Sequence, residues 1–195
     1  KLRVIWLDAH ADFNTNDLTP TGNIHGMPVA VLCGYGPVVL TRIGGTTPAM
    51  DFKDIRQVGI RSVDEGEKRF VHQVGLEVFD MRYLDEMGIK HTMTEALKDL
   101  DDNTHLHVSF DVDFLDPAIA PGVATTVAGG PSYREAQLCM EMIADTGLLA
   151  SLVCMLAVMG SGLAWITWLG LLAPATLCVA VGMTWAARGG TVRRR

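Results

Sequence analysis

Val4-Ile5-Trp6-Leu7-Asp8-Ala9-His10-Ala11-Asp12 is the stretch around which the chain is organised. The first four residues are apolar, β-branched or aromatic, which predicts a buried strand. Strand side chains alternate with period two, so Asp8, His10 and Asp12 fall on one side of the strand's polar end. A second segment repeats this design: in His107-Val108-Ser109-Phe110-Asp111-Val112-Asp113 apolar and polar residues alternate and two carboxylates come last. A single aspartate after a strand is more often a solvated loop residue or a helix N-cap. Two strands ending in Asp-x-His-x-Asp and Asp-x-Asp point instead to a shared metal-binding edge.

Outward from these two segments, strands and helices alternate. Lys1 to Leu7 reads as the first strand, and Asp12 to Pro28 as a polar loop rich in turn residues that carries His25. Pro28 opens a short helix that stops near Gly34, and the Gly- and Thr-rich stretch to Asp51 is expected to be irregular. Ile55 to Ile60 is a second strand. Ser62 and Glu65 have the spacing of a capping box, which predicts a helix from there to about Gln73. Leu76 to Asp80 is a third strand, Thr92 to Leu100 has apolar residues at helical spacing, and Leu106 to Phe110 is a fourth strand. Ser132 and Glu135 form another capping-box pattern opening a helix to about Asp145. Such alternation predicts an α/β fold, a parallel sheet with helices on both faces. Ligands bind such sheets outside the carboxyl ends of the strands, where both acidic motifs lie.

Composition sets further bounds. The chain has 195 residues, enough for one sizeable domain, and a formal net charge of −6, which speaks against nucleic acid as a partner. Cys33, Cys139, Cys154 and Cys178 form no CxxC pair, so neither a thiolate zinc site nor a disulfide framework is indicated, and a reducing cytoplasm is the expected location. Lys1 leads straight into a strand without an initiator Met, so further sequence is expected upstream. Every acidic residue and every histidine lies at or before Asp145. Thr146 to Ala187 carries no charge and holds three of the four tryptophans, and Arg188 and Arg193 to Arg195 follow. Taken alone, that stretch is long enough for a membrane helix or hairpin with a positive flank.

Asp8, Asp12, Asp111 and Asp113 at one edge would repel one another unless a cation neutralised them. Oxygen-rich ligation with imidazole and no thiolate favours Mn²⁺, Mg²⁺ or Fe²⁺. More carboxylates are present than one ion needs, so two ions with bridging carboxylates are expected, and with them hydrolysis at an electrophilic carbon. His25 reads either as an exposed loop histidine or as a proton shuttle. His105 and His107 read as strand residues. Asp64 and Glu67 are ordinary first-turn helix acids by default.

Asp8-Ala-His-Ala-Asp-Phe-Asn-Thr, Gly22-Asn-Ile-His-Gly-Met-Pro, Ser109-Phe-Asp-Val-Asp-Phe-Leu-Asp-Pro and Gly129-Gly-Pro-Ser-Tyr-Arg-Glu resemble the arginases of the ureohydrolase superfamily. The resemblance runs from Lys1 to about Leu152, making 1–152 a partial catalytic domain and 153–195 an atypical apolar tail. It implies a three-layer α/β/α fold and a binuclear Mn²⁺ centre that hydrolyses L-arginine to L-ornithine and urea. Asp8 and Asp111 would bridge the ions, and His10 and Asp113 would complete one of them. Asp12 would bind the other and carry a proton to the leaving amine, with His25 as shuttle. Asn14, Thr21 and Asn23 would contact the substrate α-carboxylate, and Asp64 and Glu67 its α-amino group. Agmatinases share the metal motifs, but Asn14 and the Asn23-to-Pro28 loop look like those of arginases.

The family also implies homo-oligomers, a Gly-Gly-Asp-His histidine upstream of the first motif, and a Glu-x-Asn-Pro glutamate for the guanidinium after a pair like Ser151-Leu152. The sequence instead continues Val153-Cys-Met-Leu-Ala-Val-Met. A shifted reading frame after Leu152 would account for that change in composition. The competing expectations are an agmatinase-like enzyme, or an inactive fragment whose tail associates with membranes.

Overall fold

The computed structural model of the chain describes residues 1–155. Five strands form one sheet: β1 (Leu2–Leu7), β2 (Ile55–Ile60), β3 (Glu77–Asp80), β4 (His105–Asp111) and β5 (Leu149–Met155). All pairings are parallel and the spatial order is β3-β2-β1-β4-β5. From β1 the chain winds outward through β2 to β3, then returns to the other side of β1 for β4 and β5. The strand order therefore reverses between β1 and β4, and a crevice opens at the carboxyl ends of a parallel sheet at such a reversal. Asp8 follows β1 and Asp111 ends β4, so the topology places the two acidic motifs at the switch point.

Strand alternation divides the core into two layers. On one face Ile5 and Leu7 of β1 and Leu106, Val108 and Phe110 of β4 are fully buried. They pack in one cluster with Leu84 of α4 (Met81–Met87), Met93 and Ala96 of α5 (Ile89–Ala96), and Ala136, Met140 and Ile143 of α6 (Tyr133–Asp145). On the other face Val4 and Ile55 pack with Phe13, with Val29 and Ala30 of α1 (Pro28–Leu32), and with Val71 of α3 (Glu65–Val74). Helices cover both faces of the sheet, giving the three-layer α/β/α arrangement that the alternation predicts. A further single turn, α2 (Val38–Thr41), interrupts the stretch read as irregular.

Local chemistry explains where the sequence reading holds and where it moves. At α6 both halves of the capping box form: Ser132 Oγ accepts from the Glu135 amide, and Glu135 Oε2 accepts from the Ser132 amide at 2.7 Å. At α3 the box built on Ser62 does not form. The Ser62 amide donates to Ala9 O at 2.9 Å, in a bridge beside His10, and Asp64 caps the helix through its Oδ1, which accepts from Glu67 N at 3.0 Å. The strand side of the switch point thus claims Ser62, and the helix starts two residues later than its spacing suggests. The helix expected at 92–100 is displaced too. Asp80 ends β3 and caps α4 by accepting from Tyr83 N, and Gly88 at φ +78° separates α4 from α5, which ends at Ala96. Helix α4 was absent from the sequence reading because Asp80 reads equally well as the end of a strand.

Strand β5 carries the sheet beyond Leu152. Its pairing with β4 runs from Leu106↔Leu149 to Asp111↔Met155, through the first residues of the predicted tail. Residues 149–155 are therefore a strand rather than part of a membrane helix, at the edge of the sheet among the described residues, where Leu149, Leu152, Val153 and Met155 are exposed. Among the described residues no helix is long and apolar enough to cross a membrane. The rest of the predicted span and its arginine flank, 156–195, lie outside the described residues. Cys33 and Cys139 are buried free thiols.

Candidate metal centre

The buried floor of the crevice is assembled from the ends of β1 and β4. Asp8 is 3 % exposed; its Oδ2 accepts from Trp6 Nε1 at 2.9 Å and its Oδ1 from the His10 amide at 2.7 Å. Trp6 and Asp8 share a strand face, so alternation lets the indole orient the carboxylate two residues on. Asp113, also 3 % exposed, ties the two strands together: Oδ1 accepts from the Ala9 amide at 3.2 Å and Oδ2 from the Thr125 hydroxyl at 3.0 Å. His10 Nδ1 lies 3.0 Å from Asp113 Oδ2 and 3.5 Å from Asp8 Oδ1. One candidate ligand atom from each of Asp8, His10 and Asp113 lies within 4.8 Å of the other two. Asp111 lies outside this group, its Oδ1 accepting from the Asp113 amide at 3.0 Å. Asp12 has φ +51°, and its carbonyl accepts from Val29 and Ala30, which closes the N-terminus of α1 onto the same turn.

The electrostatics of this floor call for a cation. Burial pushes the Asp12 carboxyl up to about 9, aided by the charges of Asp8 and Asp111, and burial likewise pushes Asp111 up to about 7. Burial also raises Asp8, against the hydrogen bond from His10. For His10 burial disfavours the charged ring, yet the hydrogen bonds to Asp113 and Asp8 raise it to about 10. Burial would also raise Asp113, but its hydrogen bond with His10 holds it below the ordinary carboxylate range. His10 thus supplies counter-charge in direct contact with Asp8 and Asp113, and the Arg61 guanidinium adds charge near the same two residues, against four crowded carboxyl groups. A divalent ion would replace the protons and meet an oxygen-rich donor set with one imidazole, so these residues fit a hard or intermediate divalent metal.

A cavity of about 820 Å³ opens over this floor. Asp8, His10, Asp12, Asp111 and Asp113 line it, and so do Asn14, Thr21, Asn23, His25, Asp64 and Glu67. The structure therefore brings all the candidate site residues into one space, but at two depths. Asn14 is 8 % exposed and donates through Nδ2 to Asp64 Oδ2 at 2.8 Å, while its buried Oδ1 has no hydrogen-bond partner among the described residues. Glu67 is buried, accepts from the Phe13 amide at 2.7 Å, and is raised by that burial to about 7. One oxygen of Asp64 caps α3 and the other accepts from Asn14. Thr21, Asn23 and His25 form an exposed rim, with Thr21 Oγ1 accepting from the Asn23 amide at 3.2 Å and His25 in a single 3₁₀ turn.

Three contributors escaped the sequence reading. Trp6 carried a signal, since period two puts it on the face of Asp8. Thr125 carried none, being twelve residues from Asp113 in a Pro- and Gly-rich loop. His107, read only as a strand residue, lines the cavity with Nδ1 2.7 Å from Ser151 Oγ.

Residues 1–155 match the sequence model described as "Arginase family". The chain belongs to the arginase family. Within that family it is 45% identical over 152 residues to the arginase of Bacillus caldovelox, and 46% identical over 151 residues to that of Brevibacillus brevis. Each match covers 77% of this chain and 51% of the relative, so the chain spans about half the length of the curated relatives it matches. Among solved structures, the native arginase of Bacillus caldovelox superposes with a TM-score of 0.81 at 39% identity, covering 91% of this chain and 60% of that one.

Proposed function

We propose that this chain carries the metal centre and substrate cavity of a manganese-dependent ureohydrolase whose substrate is L-arginine. The observation that carries the reading is the convergence of Asp8, His10 and Asp113 on one point, with Asp12 and Asp111 in the same cavity, in a chain of the arginase family. Asp8, His10, Asp111 and Asp113 would hold one ion, and Asp8, Asp12 and Asp111 would contribute to a second. When bound, Mn²⁺ supplies the Lewis acidity that makes a water molecule nucleophilic at neutral pH.

The chain's own residues supply the rest. Water adds to the guanidinium carbon, the C–N bond to the side-chain nitrogen breaks, and urea and ornithine result. Asp12, ionised once the site is occupied, would accept a proton from the attacking water and return it to the leaving amine. His25, exposed on the rim, exchanges protons with solvent. Asp64 and Glu67 offer carboxylates to the substrate ammonium. Asn14, Thr21 and Asn23 meet the α-carboxylate, directly or through water, which sets L-arginine apart from agmatine.

The test is urea release by the purified, folded, Mn²⁺-loaded protein. Mn²⁺-dependent release from L-arginine, lost in Asp111→Asn and weaker with agmatine, is the expected result. A folded, metal-loaded protein that releases no urea overturns the catalytic reading for this chain, and preference for agmatine overturns the substrate.

A further inference from the structure

We propose that Arg61, a residue outside the metal-binding and substrate-contacting sets, is the positioning residue that holds the Asp113 segment in ligating register with Asp8 and His10. The inference rests on the metal-centre reading above and adds a residue to it.

Arg61 follows β2 directly and is attached to both halves of the centre. Its backbone amide donates to Ala9 O at 2.9 Å, between Asp8 and His10. Its guanidinium runs the other way, into the turn after β4. Nη2 donates to Asp113 O at 2.7 Å and to Leu115 O at 3.3 Å, and Nη1 donates to Phe114 O at 3.1 Å. Nε and Nη2 also reach Val127 O at 3.2 and 2.7 Å, which anchors the loop carrying Thr125, the hydroxyl that holds Asp113 Oδ2. A single rigid fork thus fixes the carbonyls on both sides of the Asp113 carboxylate's support.

Space is reserved for this fork. A Cβ on Gly130 would lie 2.6 Å from Arg61 Nη2 and 2.7 Å from Phe114 O, so only glycine allows the approach. The chemistry is specific to arginine. Carbonyls are acceptors only, and a planar guanidinium presents five N–H donors in fixed directions, whereas lysine brings one mobile ammonium on a flexible stem. Lysine keeps the charge near Asp113, Asp116 and Asp8 but cannot hold the carbonyls of Asp113, Phe114 and Val127 together. Supports of this kind around a metal ligand typically alter metal affinity by about 10- to 100-fold when removed.

The experiment is Mn²⁺ affinity by calorimetry, with the absorption bands of the Co²⁺-loaded protein as a geometric readout, for the unsubstituted chain, Arg61→Lys and the exposed control Arg134→Lys. Arg61→Lys is expected to keep the fold by circular dichroism, bind Mn²⁺ about 10-fold or more weakly, and shift the Co²⁺ bands, while Arg134→Lys changes neither. Unaltered affinity and bands in Arg61→Lys overturn the inference while leaving the metal centre in place. No metal binding by the unsubstituted chain overturns the functional reading and this inference with it. Should Arg61→Lys not fold, Arg61→Gln, which keeps a planar donor pair, provides the same readout; failure of both to fold overturns the positioning role in favour of a purely architectural one.

Discussion

Replacing Gly59 with alanine probes the contact that lets β2 pass beneath the turn carrying Asp113. Gly59 lies in β2 at φ +89°, where the register to β3 shifts, and its neighbour Val58 accepts from the Asp8 amide through its carbonyl. A Cβ there would sit 2.5 Å from Phe114 Cδ2 and closer still to Cε2. The ring has nowhere to retreat: Phe114 is fully buried and packs edge-on against Phe110 with centroids 5.8 Å apart. Two costs add. An L-residue at positive φ loses about 1–2 kcal/mol, and forcing a methyl into a filled core loses about 1–3 kcal/mol. Gly59→Ala should therefore lower the unfolding free energy by about 2–5 kcal/mol, a large part of the roughly 5–15 kcal/mol that a domain of this kind possesses. Urea denaturation followed by circular dichroism gives the difference. Adding Phe114→Leu should recover part of the loss, with a coupling of about 1 kcal/mol or more, because the smaller side chain removes the collision but not the backbone strain. A Gly59→Ala loss below about 1 kcal/mol, with additive behaviour in the double variant, would refute the steric reasoning.

Other perturbations act on the caps and on the buried acids. Ser132→Ala removes one half of a formed capping box and should cost about 1 kcal/mol, whereas Ser62→Ala, whose side chain does not cap α3, should cost less; equal losses in urea melts would contradict the assignment of the caps. Asp64→Ala removes the α3 cap and also the partner of Asn14 Nδ2, so its loss should exceed that of Ser132→Ala, and a smaller one would count against the Asn14–Asp64 contact. Glu67 is raised from its ordinary value of 4.5 to about 7, so the folded state holds its proton more tightly than the unfolded chain does. Its contribution is fully present below pH 4.5 and is lost as pH rises through about 7, worth about 3 kcal/mol across that window for the metal-free protein. Glu67→Gln should reduce the slope of the stability profile over that range, leaving the part that Asp111, also raised to about 7, contributes; profiles that remain parallel would show that Glu67 does not contribute.

The sheet was legible because its strands are short apolar runs whose alternate residues face two different helical layers. Ile5 and Leu7 belong to one core cluster and Val4 to the other, so the period-two pattern that placed Asp8 beside His10 is the pattern that the packing uses. The candidate site was legible for the same reason, since its deepest residues are the continuation of β1 and β4. What could not be read were choices between equivalent local signals. Ser62 and Asp64 are both good caps, and only the bridge between Ser62 and His10 decides between them. Asp80 serves as a strand end and a helix cap at once. Residues 149–155 have the composition of an apolar tail, and only pairing with β4 makes them a strand. Long-range supports such as Thr125 on Asp113 leave no periodic trace in the sequence.

Mn²⁺ uptake by the 195-residue chain is the most direct measurement of the central claim. After equilibrium dialysis against Mn²⁺ and removal of free ion, the protein should retain the metal, and Asp8→Ala and Asp113→Ala should each lose most of it while Asp116→Ala, outside the cavity lining, retains it. A folded protein that retains no Mn²⁺, or whose retention is indifferent to Asp8 and Asp113, would contradict the assignment of the switch-point crevice as a metal centre.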